Sequence, residues 1–210
     1  MINTIFKIAI PALACVTLTA CGGSSTGVSS FDTIKTKGQQ LIADYGTAEV
    51  TNVGSMPVSG LATYNGAAAY SREYSDIVDI SEYATTVSDI SLSANFATSK
   101  ITGVADNFHT RVSQNISLDG NLSLDGTITG NTFSTNLNGT VTETLSGYTG
   151  DEAVLNGISL PVVYSGNTTG EFVGSNAGAL RGVGTGIGAT SYEGQALSIT
   201  VNAIFGGVTE

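Results

Sequence analysis

The residues with the most specific chemistry stand near the start of the chain, from Leu18 to Cys21. A single cation, Lys7, precedes an apolar run from Ile8 to Val16 that only Pro11 interrupts. This charged-then-apolar order predicts an export signal, because the run is too short to be a stable membrane span. Small residues then lead to Cys21, so cleavage at this point would make a cysteine the first residue of the mature chain.

The sequence Leu-Thr-Ala-Cys around Cys21 resembles the lipobox of bacterial lipoproteins. The resemblance implies that the Cys21 thiol is acylated and anchors the protein to a membrane, since each buried methylene contributes ~0.8 kcal/mol. Gly22, in place of a retaining aspartate, is compatible with transfer to the outer membrane. The alternative is an ordinary secretory signal cleaved near Ala20, which would leave Cys21 free.

Composition excludes several classes of function. Cys15 is removed with the signal, so Cys21 can form neither an internal disulfide nor a cysteine metal site. His109 is the single histidine, too few for a histidine zinc site or a Ser-His-Asp triad. Removing residues 1–20 takes away Lys7 and leaves 190 residues with six basic and seventeen acidic side chains, a net charge of about −11. That charge argues against nucleic acid, which attracts clustered Lys and Arg.

The chain is expected to form one domain behind a tether. The expected division is a lipoprotein signal peptide at 1–20, the lipidated Cys21 and a flexible tether at 21–30, a short helical segment at 31–56 and a β-barrel at 57–210. The tether, rich in Gly and Ser, would reach roughly 15 to 30 Å. In the next segment the pattern predicts a helix from Thr33 to Tyr45 with Asp32 as N-cap and Gly46 as its end. Its expected apolar face is Ile34, Leu41, Ile42 and Tyr45.

From Pro57 onward, apolar and polar residues alternate with a period of two, which predicts strands with one apolar face. The predicted strands lie near 58–70, 87–96, 100–108, 115–129, 132–143, 160–165, 168–174 and 181–205, the last with a break at residues 192–194. Gly130-Asn131 separates two alternating runs and predicts a two-residue hairpin. Asn65-Gly66 and similar pairs inside runs predict bulges or bends.

About eight antiparallel strands are enough to close a barrel, whose interior is then filled by side chains or holds one small ligand. We expect an all-β, soluble, eight-stranded antiparallel barrel with its apolar face inside. A transmembrane barrel with lipid-facing apolar residues is the alternative. Against it count the lipobox, the lack of clear aromatic girdles, and an expected polar tail at 206–210 after the last strand.

Three phrases in the strand region carry a resemblance to a known family. They run from Pro57 to Gly66, from Leu92 to Gly103 and from Gly170 to Gly182. In this order they resemble the β-barrel domain of transferrin-binding protein B and its relatives among Slam-exported bacterial surface lipoproteins. The resemblance covers about residues 57 to 207. It implies structural roles: Gly103, Gly174 and Gly182 at close crossings or turns, Phe96 and Phe172 inside the barrel, and Ala177 under a short loop.

The resemblance also implies a function: a non-enzymatic outer-membrane lipoprotein, displayed at the surface, that binds a protein or haem-type ligand for nutrient capture or host interaction. A Slam-type exporter would be an expected partner. Transferrin binding itself is not implied, because the chain has one barrel where transferrin-binding protein B has two lobes. The alternative is an envelope-maintenance lipoprotein without a diffusible ligand, on the periplasmic face or the surface.

The expected contact residues are tyrosines, arginines and their neighbours, which are common in binding hot spots. We expect the first group in a loop from Tyr70 to Asp76 and the second after the third strand. The candidates are Tyr70, Arg72, Tyr74, Tyr83, Phe108, His109, Arg111 and Tyr148. If haem were bound, His109 or a nearby tyrosine would be its ligand; no other cofactor and no metal is expected.

The patterns that suggest enzymes are better explained by structure. Residues 182–188 (Gly-Val-Gly-Thr-Gly-Ile-Gly) lack the lysine and the strand–turn–helix context of a phosphate-binding loop. Asp76 and Asp79 have no neighbour that would tune them for acid–base catalysis. The acidic residues between Asp119 and Asp125 lack the twelve-residue loop of a calcium site. We therefore predict no enzymatic activity.

Overall fold

The computed structural model describes residues 31–74, 84–110, 117–147, 149–150, 153, 156–192 and 195–209. This part of the chain contains one α-helix, α1 (Phe31–Tyr45), and eight β-strands. The strands are β1 (Leu61–Tyr74), β2 (Ala84–Asn95), β3 (Lys100–Thr110), β4 (Ser117–Thr129), β5 (Thr132–Thr144), β6 (Ser159–Val173), β7 (Ala179–Tyr192) and β8 (Gln195–Thr209). Within these residues, no helix has the length and apolar character needed to cross a membrane.

The eight strands form a closed barrel in which each pairs antiparallel with its neighbours in sequence and β1 pairs with β8. The predicted fold class is confirmed. Thr129 pairs with Thr132 across Gly130-Asn131, which is the two-residue hairpin that the sequence predicts. Each described strand is paired along most of its length on both sides, so little of the sheet's backbone is left as a template for a further strand.

The interior of the barrel holds the apolar face of the strands. Phe172 lies at the centre of one half, with the rings of Tyr64, Phe96 and Phe133 between 5.4 and 5.7 Å from its own, centroid to centroid. Such tilted aromatic pairs add to the free energy gained by burial. Phe96, Phe172 and Ala177 are all buried, as the resemblance implies.

Two glycines show why the resembling phrases need this residue. A Cβ on Gly103 would overlap the carbonyl oxygen of Ser91 on the neighbouring strand, so the two backbones approach closely only because it is absent. Gly174 has a φ of 77° at the turn after β6, a conformation that other residues rarely adopt. At both positions the backbone geometry requires glycine.

Several predicted boundaries were wrong. The two strands predicted at 160–165 and 168–174 are one strand, β6, which runs through Gly166 because a residue without a side chain lets β6 and β7 lie close together. The region 181–205 is two strands, divided at the predicted break. Residues 206–209 of the expected polar tail are part of β8, which pairs with β1 as far as Tyr64 and Thr209; Glu210 lies outside the described residues.

Helix α1 lies on the outside of the barrel. It begins at Phe31, so Asp32 lies in its first turn and is not the N-cap. Ile34, 1% exposed, packs on Ala67 and Val87 of β1 and β2. The amide of Gly46 donates to the carbonyl oxygen of Ile42 (2.8 Å) at the end of the helix. Ile42 stays 42% exposed, so only part of the predicted apolar face is buried.

Candidate binding surfaces

The two ends of the barrel differ in their connections. We call the end with the turns 96–99, 130–131 and 174–178 the closed end. The opposite end, which we call the loop end, carries the connections 75–83, 111–116, 145–158 and 193–194. Because consecutive strands are antiparallel, alternate connections must fall at opposite ends. The three longer connections therefore share one end, and loops gathered on a rigid scaffold commonly carry function.

The closed end is covered by the chain between α1 and β1. Thr51 donates from its amide to the carbonyl oxygen of Phe172 (2.9 Å) and from its hydroxyl to that of Gly174 (2.7 Å). The side-chain amide of Asn131 donates to the carbonyl oxygen of Thr51 (2.8 Å). Val50 also forms a bridge with Val173. These bonds fasten the segment across the turns of the closed end.

Tyr70 and Phe108 lie inside the barrel, whereas the sequence analysis expects them in surface loops. Tyr70 belongs to β1 and Phe108 to β3, and their ring centroids are 5.8 Å apart. The Tyr70 hydroxyl forms a hydrogen bond of 3.0 Å with the hydroxyl of Ser88. Both side chains are buried. They support the wall near the loop end and offer no surface to a large partner.

The remaining candidates are placed only in part. Arg72 and Tyr74 are in β1, which pairs there with β2 and β8, and not in a loop. His109 is the penultimate residue of β3 and pairs with Ser117 and Val87. All three positions are therefore at the loop end. Tyr83, Arg111, Tyr148 and Cys21 lie outside the described residues.

His109 is the last member of a polar chain that reaches α1. Its Nε2 lies 3.1 Å from Oδ1 of Asn107, whose Nδ2 donates to Oδ2 of Asp89 (2.7 Å). Lys37 of α1 contacts the other oxygen of Asp89 at 3.1 Å. Because the Asn107 amide group donates to Asp89, its oxygen must accept from His109. Nε2 therefore carries a proton, and binding haem iron through it would break this bond.

The described part of the barrel interior contains one small cavity among its aromatic side chains. A cavity of about 30 Å³ lies among Tyr70, Phe108, Tyr164 and Val201. Ligand pockets usually measure about 300–1,000 Å³. A haem group does not fit inside this cavity. The described residues also contain no group of three or more His, Cys, Asp or Glu that could hold a metal ion.

A second surface, which the sequence analysis missed, lies between α1 and the outer wall of the barrel. This groove has a volume of about 1360 Å³. Phe31, Leu41 and Ile42 line it on the helix side, and Val183 and Ile204 line it on the barrel side. Val183 and Ile204 face each other on β7 and β8 and are 57% and 40% exposed. The groove is thus an apolar surface open to solvent.

The sequence signal for the groove is the glycine-rich run at 182–188. In β7 the glycines face inward and the β-branched residues face outward, which inverts the usual pattern of a barrel strand. A Cβ on Gly182 would overlap the ring of Phe205, and one on Gly188 would lie 2.8 Å from the ring of Tyr164. The glycines make room for rings from neighbouring strands, while Val183 and Ile187 remain outside. The outward positions of β7 therefore expose aliphatic side chains, of which Val183 lines the groove.

The fold defines a class: a closed eight-stranded antiparallel barrel with one covered end and an external helix. Residues 56–208 match the family model described as the C-lobe and N-lobe beta barrels of Tf-binding protein B. The match includes more than half of the chain, and the chain belongs to this family. The resemblance drawn from the three glycine-rich phrases is therefore confirmed. A comparison with curated proteins yielded no match.

Solved structures of transferrin-binding protein B are similar to this chain at low identity. Intact Ap-TbpB, with N and C lobes, is 20% identical with a TM-score of 0.41. A point mutant of the vaccine antigen TbpB from Haemophilus parasuis Hp5 is 19% identical (TM-score 0.37), and isotype 1 TbpB from serogroup B Neisseria meningitidis is 17% identical (TM-score 0.39). Each alignment covers 77% of this chain and 28% of the solved chain.

Proposed function

We propose that this protein is a lipid-anchored outer-membrane protein whose barrel binds a protein ligand at the loop end, without enzymatic activity. The observation that carries the proposal is the asymmetry of the barrel. The segment around Thr51 is hydrogen-bonded across the closed end, whereas the strand ends joined by the longer connections lie at the other. Membership of the transferrin-binding protein B barrel family supports a binding role.

The proposed contact surface centres on the strand ends of β1 and β3. Arg72, Tyr74 and His109 occupy this rim, and Arg and Tyr are enriched among the hot-spot residues of protein interfaces. Tyr83, Arg111 and Tyr148 complete the proposed surface. A folded protein is a better candidate than haem, since the interior cavity is about 30 Å³ and Nε2 of His109 is engaged with Asn107.

Anchoring and display are the second part of the proposal. Cys21 would carry the acyl chains, and the tether after it would hold the barrel away from the bilayer. A Slam-type exporter would bring the protein to the cell surface, where the barrel would serve nutrient capture or host interaction.

Protease treatment of intact cells that express the full chain tests anchoring and display, with Cys21→Ala as the control. We expect the anchored protein to be digested while a periplasmic marker survives, and the Cys21→Ala variant to be lost from the membrane fraction. Protection of the wild-type barrel in its native host until the outer membrane is permeabilised would contradict surface display.

Affinity capture from host serum then tests the binding surface. The variant Arg72→Ala/Tyr74→Ala/His109→Ala should lose at least tenfold in affinity for the captured protein, given about 1–2 kcal/mol for each hot-spot residue. The matched control is Asp125→Ala/Asn136→Ala, an exposed cross-strand pair on the wall of β4 and β5. Equal binding by both variants would contradict the proposed surface.

A further inference from the structure

The groove between α1 and the outer wall of β7 and β8 requires an occupant that matches its chemistry. Its volume of about 1360 Å³ exceeds the usual range of small-molecule pockets, about 300–1,000 Å³. Val183 and Ile204 form an exposed apolar pair on one side, and Ile42 faces the same space from the helix. Exposed apolar area of this kind is costly in water, so covering it is favourable.

The closed barrel argues against an extended peptide as the occupant. β7 is paired on one side with β6 and on the other with β8, and β8 is paired with β1. Its backbone donors and acceptors are therefore used within the sheet. An extended peptide lying in the groove would bury its own N–H and C=O groups without partners, which is unfavourable. A hydrocarbon chain has no such groups.

The proposed lipid attachment site lies close to the groove in sequence. Phe31, the first residue of α1, lines the groove, and Cys21 stands ten residues before it. Ten residues span at most about 33–36 Å. Helix α1, with its 15 residues, is only about 22 Å long. An acyl chain on Cys21 can therefore reach any part of the groove along the helix.

We infer that the groove shelters an acyl chain of the lipidated Cys21 whenever the protein is outside a bilayer. This inference rests on the proposed lipidation. An exported lipoprotein has to cross water between membranes, and burial of an acyl chain against α1, Val183 and Ile204 would keep it from aggregating on the way. Insertion of the chain into the outer membrane would empty the groove.

Photo-crosslinking of the natural acyl group tests the inference. Cells would be fed a palmitate analogue that carries a diazirine, and the lipidated full-length protein would be purified, freed of detergent and irradiated. Mass spectrometry would then map the crosslinked peptides. We expect crosslinks from Cys21 to concentrate on α1 and on the peptides containing Val183 and Ile204, and to fall at least fivefold when the protein is returned to liposomes.

A matched pair of variants separates the groove from the rest of the wall. Val183→Asp places a charge in the groove, whereas Val163→Asp places the same charge on the outer face of β6, outside it. The two valines are 57% and 56% exposed. Thr169, the partner of Val183, is six residues, or about 20 Å, along β6 from Val163. We expect Val183→Asp to reduce the groove crosslinks at least fivefold and Val163→Asp to leave them unchanged.

The outcomes divide cleanly. Label on Cys21 with crosslinks scattered over the barrel, or with equal yields in both variants, would overturn the inference and leave the lipid anchor standing. Absence of label from Cys21 would overturn the anchor and the inference together. To detect crosslinks between two copies, the protein would be mixed with isotopically heavy protein that carries no diazirine. Crosslinks to the heavy copy would assign the groove to a contact between two molecules and overturn the inference that each molecule shelters its own acyl chain. The wild-type map decides these points even if Val183→Asp does not fold.

Discussion

Arg181 of β7 donates a hydrogen bond of 2.8 Å from Nη1 to the carbonyl oxygen of Tyr45, at the last residue of α1. The same nitrogen donates to the carbonyl oxygen of Gly46 (2.7 Å), and the guanidinium also contacts Glu171 of β6. A cation placed at the C-terminus of a helix satisfies the free carbonyl groups and stabilises the helix dipole. The helix is thus joined to the barrel at one end by Arg181 and at the other by packing of Ile34.

We expect Arg181→Ala to destabilise the protein by about 1–2 kcal/mol, since it removes charge-assisted bonds from a partly exposed site. Urea unfolding would measure the loss, and hydrogen exchange should accelerate in residues 31–46 more than in the strands. Lys37→Ala is the control: its ion pair with Asp89 is more exposed and should contribute less than about 0.5 kcal/mol. Equal losses in the two variants would contradict this account.

The raised pKa of Tyr70 predicts a loss of stability at alkaline pH. Burial in the apolar interior raises the pKa of Tyr70 to about 12; the hydrogen bond with Ser88 opposes the rise and Tyr164 adds to it. Between pH 10 and 12 the unfolded chain releases this proton while the folded chain keeps it. The contribution of Tyr70 to the free energy of unfolding should therefore be constant below pH 10 and then fall by up to about 1.4 kcal/mol per pH unit. Burial also raises the pKa of Tyr64, with the same sign.

Urea titrations at pH 8 to 11 would measure this effect in the wild type and in Tyr70→Phe. The variant should be less stable by about 1 kcal/mol at pH 8, because Ser88 loses its partner. Above pH 10 its stability should fall less steeply than that of the wild type. If the free energies of unfolding of the two proteins fell in parallel above pH 10, Tyr70 would not be the cause of the alkaline loss of stability.

Gly182 and Gly206 provide a test of barrel packing. Gly182→Ala should destabilise the protein by about 1–3 kcal/mol, because its Cβ would overlap the ring of Phe205. Gly206→Ala should change stability little, since its Cβ would lie 3.8 Å from the Cβ of Leu41 and 3.4 Å from the nearest carbonyl oxygen. Thermal unfolding would compare the two. Phe205→Leu should restore part of the stability lost in Gly182→Ala, and failure to do so would point to strain elsewhere.

Thr135 and Thr168 form a buried pair with hydroxyl oxygens 2.7 Å apart. Thr168→Val should cost about 1–3 kcal/mol, because the Thr135 hydroxyl would be left buried without its partner. The double variant Thr135→Val/Thr168→Val should be closer to the wild type than either single variant. Chemical denaturation of all four proteins gives the coupling energy, and strictly additive losses would contradict the prediction.

The fold could be predicted from the sequence because its determinants are local. Alternation along residues such as Ile90, Leu92 and Ala94 specifies a strand with one buried face, and Gly130-Asn131 specifies a hairpin. The ends of strands were less predictable. Glycine is common in turns, yet Gly166 lies inside β6 where that strand passes close to β7. Only its neighbours on β7 show that it is needed for close packing and not for a turn.

The candidate surfaces show the same limit. Tyr70 and Phe108 stand among polar residues that suggest a loop, and their burial depends on Ser88 and on each other across the barrel. The groove depends on where α1 lies relative to β7 and β8, which are more than a hundred residues away in sequence. The inward glycines and outward aliphatic residues at 182–188 indicate an apolar outer face on β7. No local pattern predicts which element of the chain lies against that face.

The seam between β1 and β8 determines when the barrel can be completed. Tyr64 pairs with Thr209, 145 positions away, whereas the other seven pairings join strands that are adjacent in sequence. The entropy lost in closing so long a loop raises the free energy by roughly 2 kcal/mol more than closing a ten-residue loop does. A chain that emerges N-terminus first can form its hairpins in turn, yet β1 keeps an open edge until β8 arrives. The risk of aggregation during folding is therefore greatest just before the final strand docks.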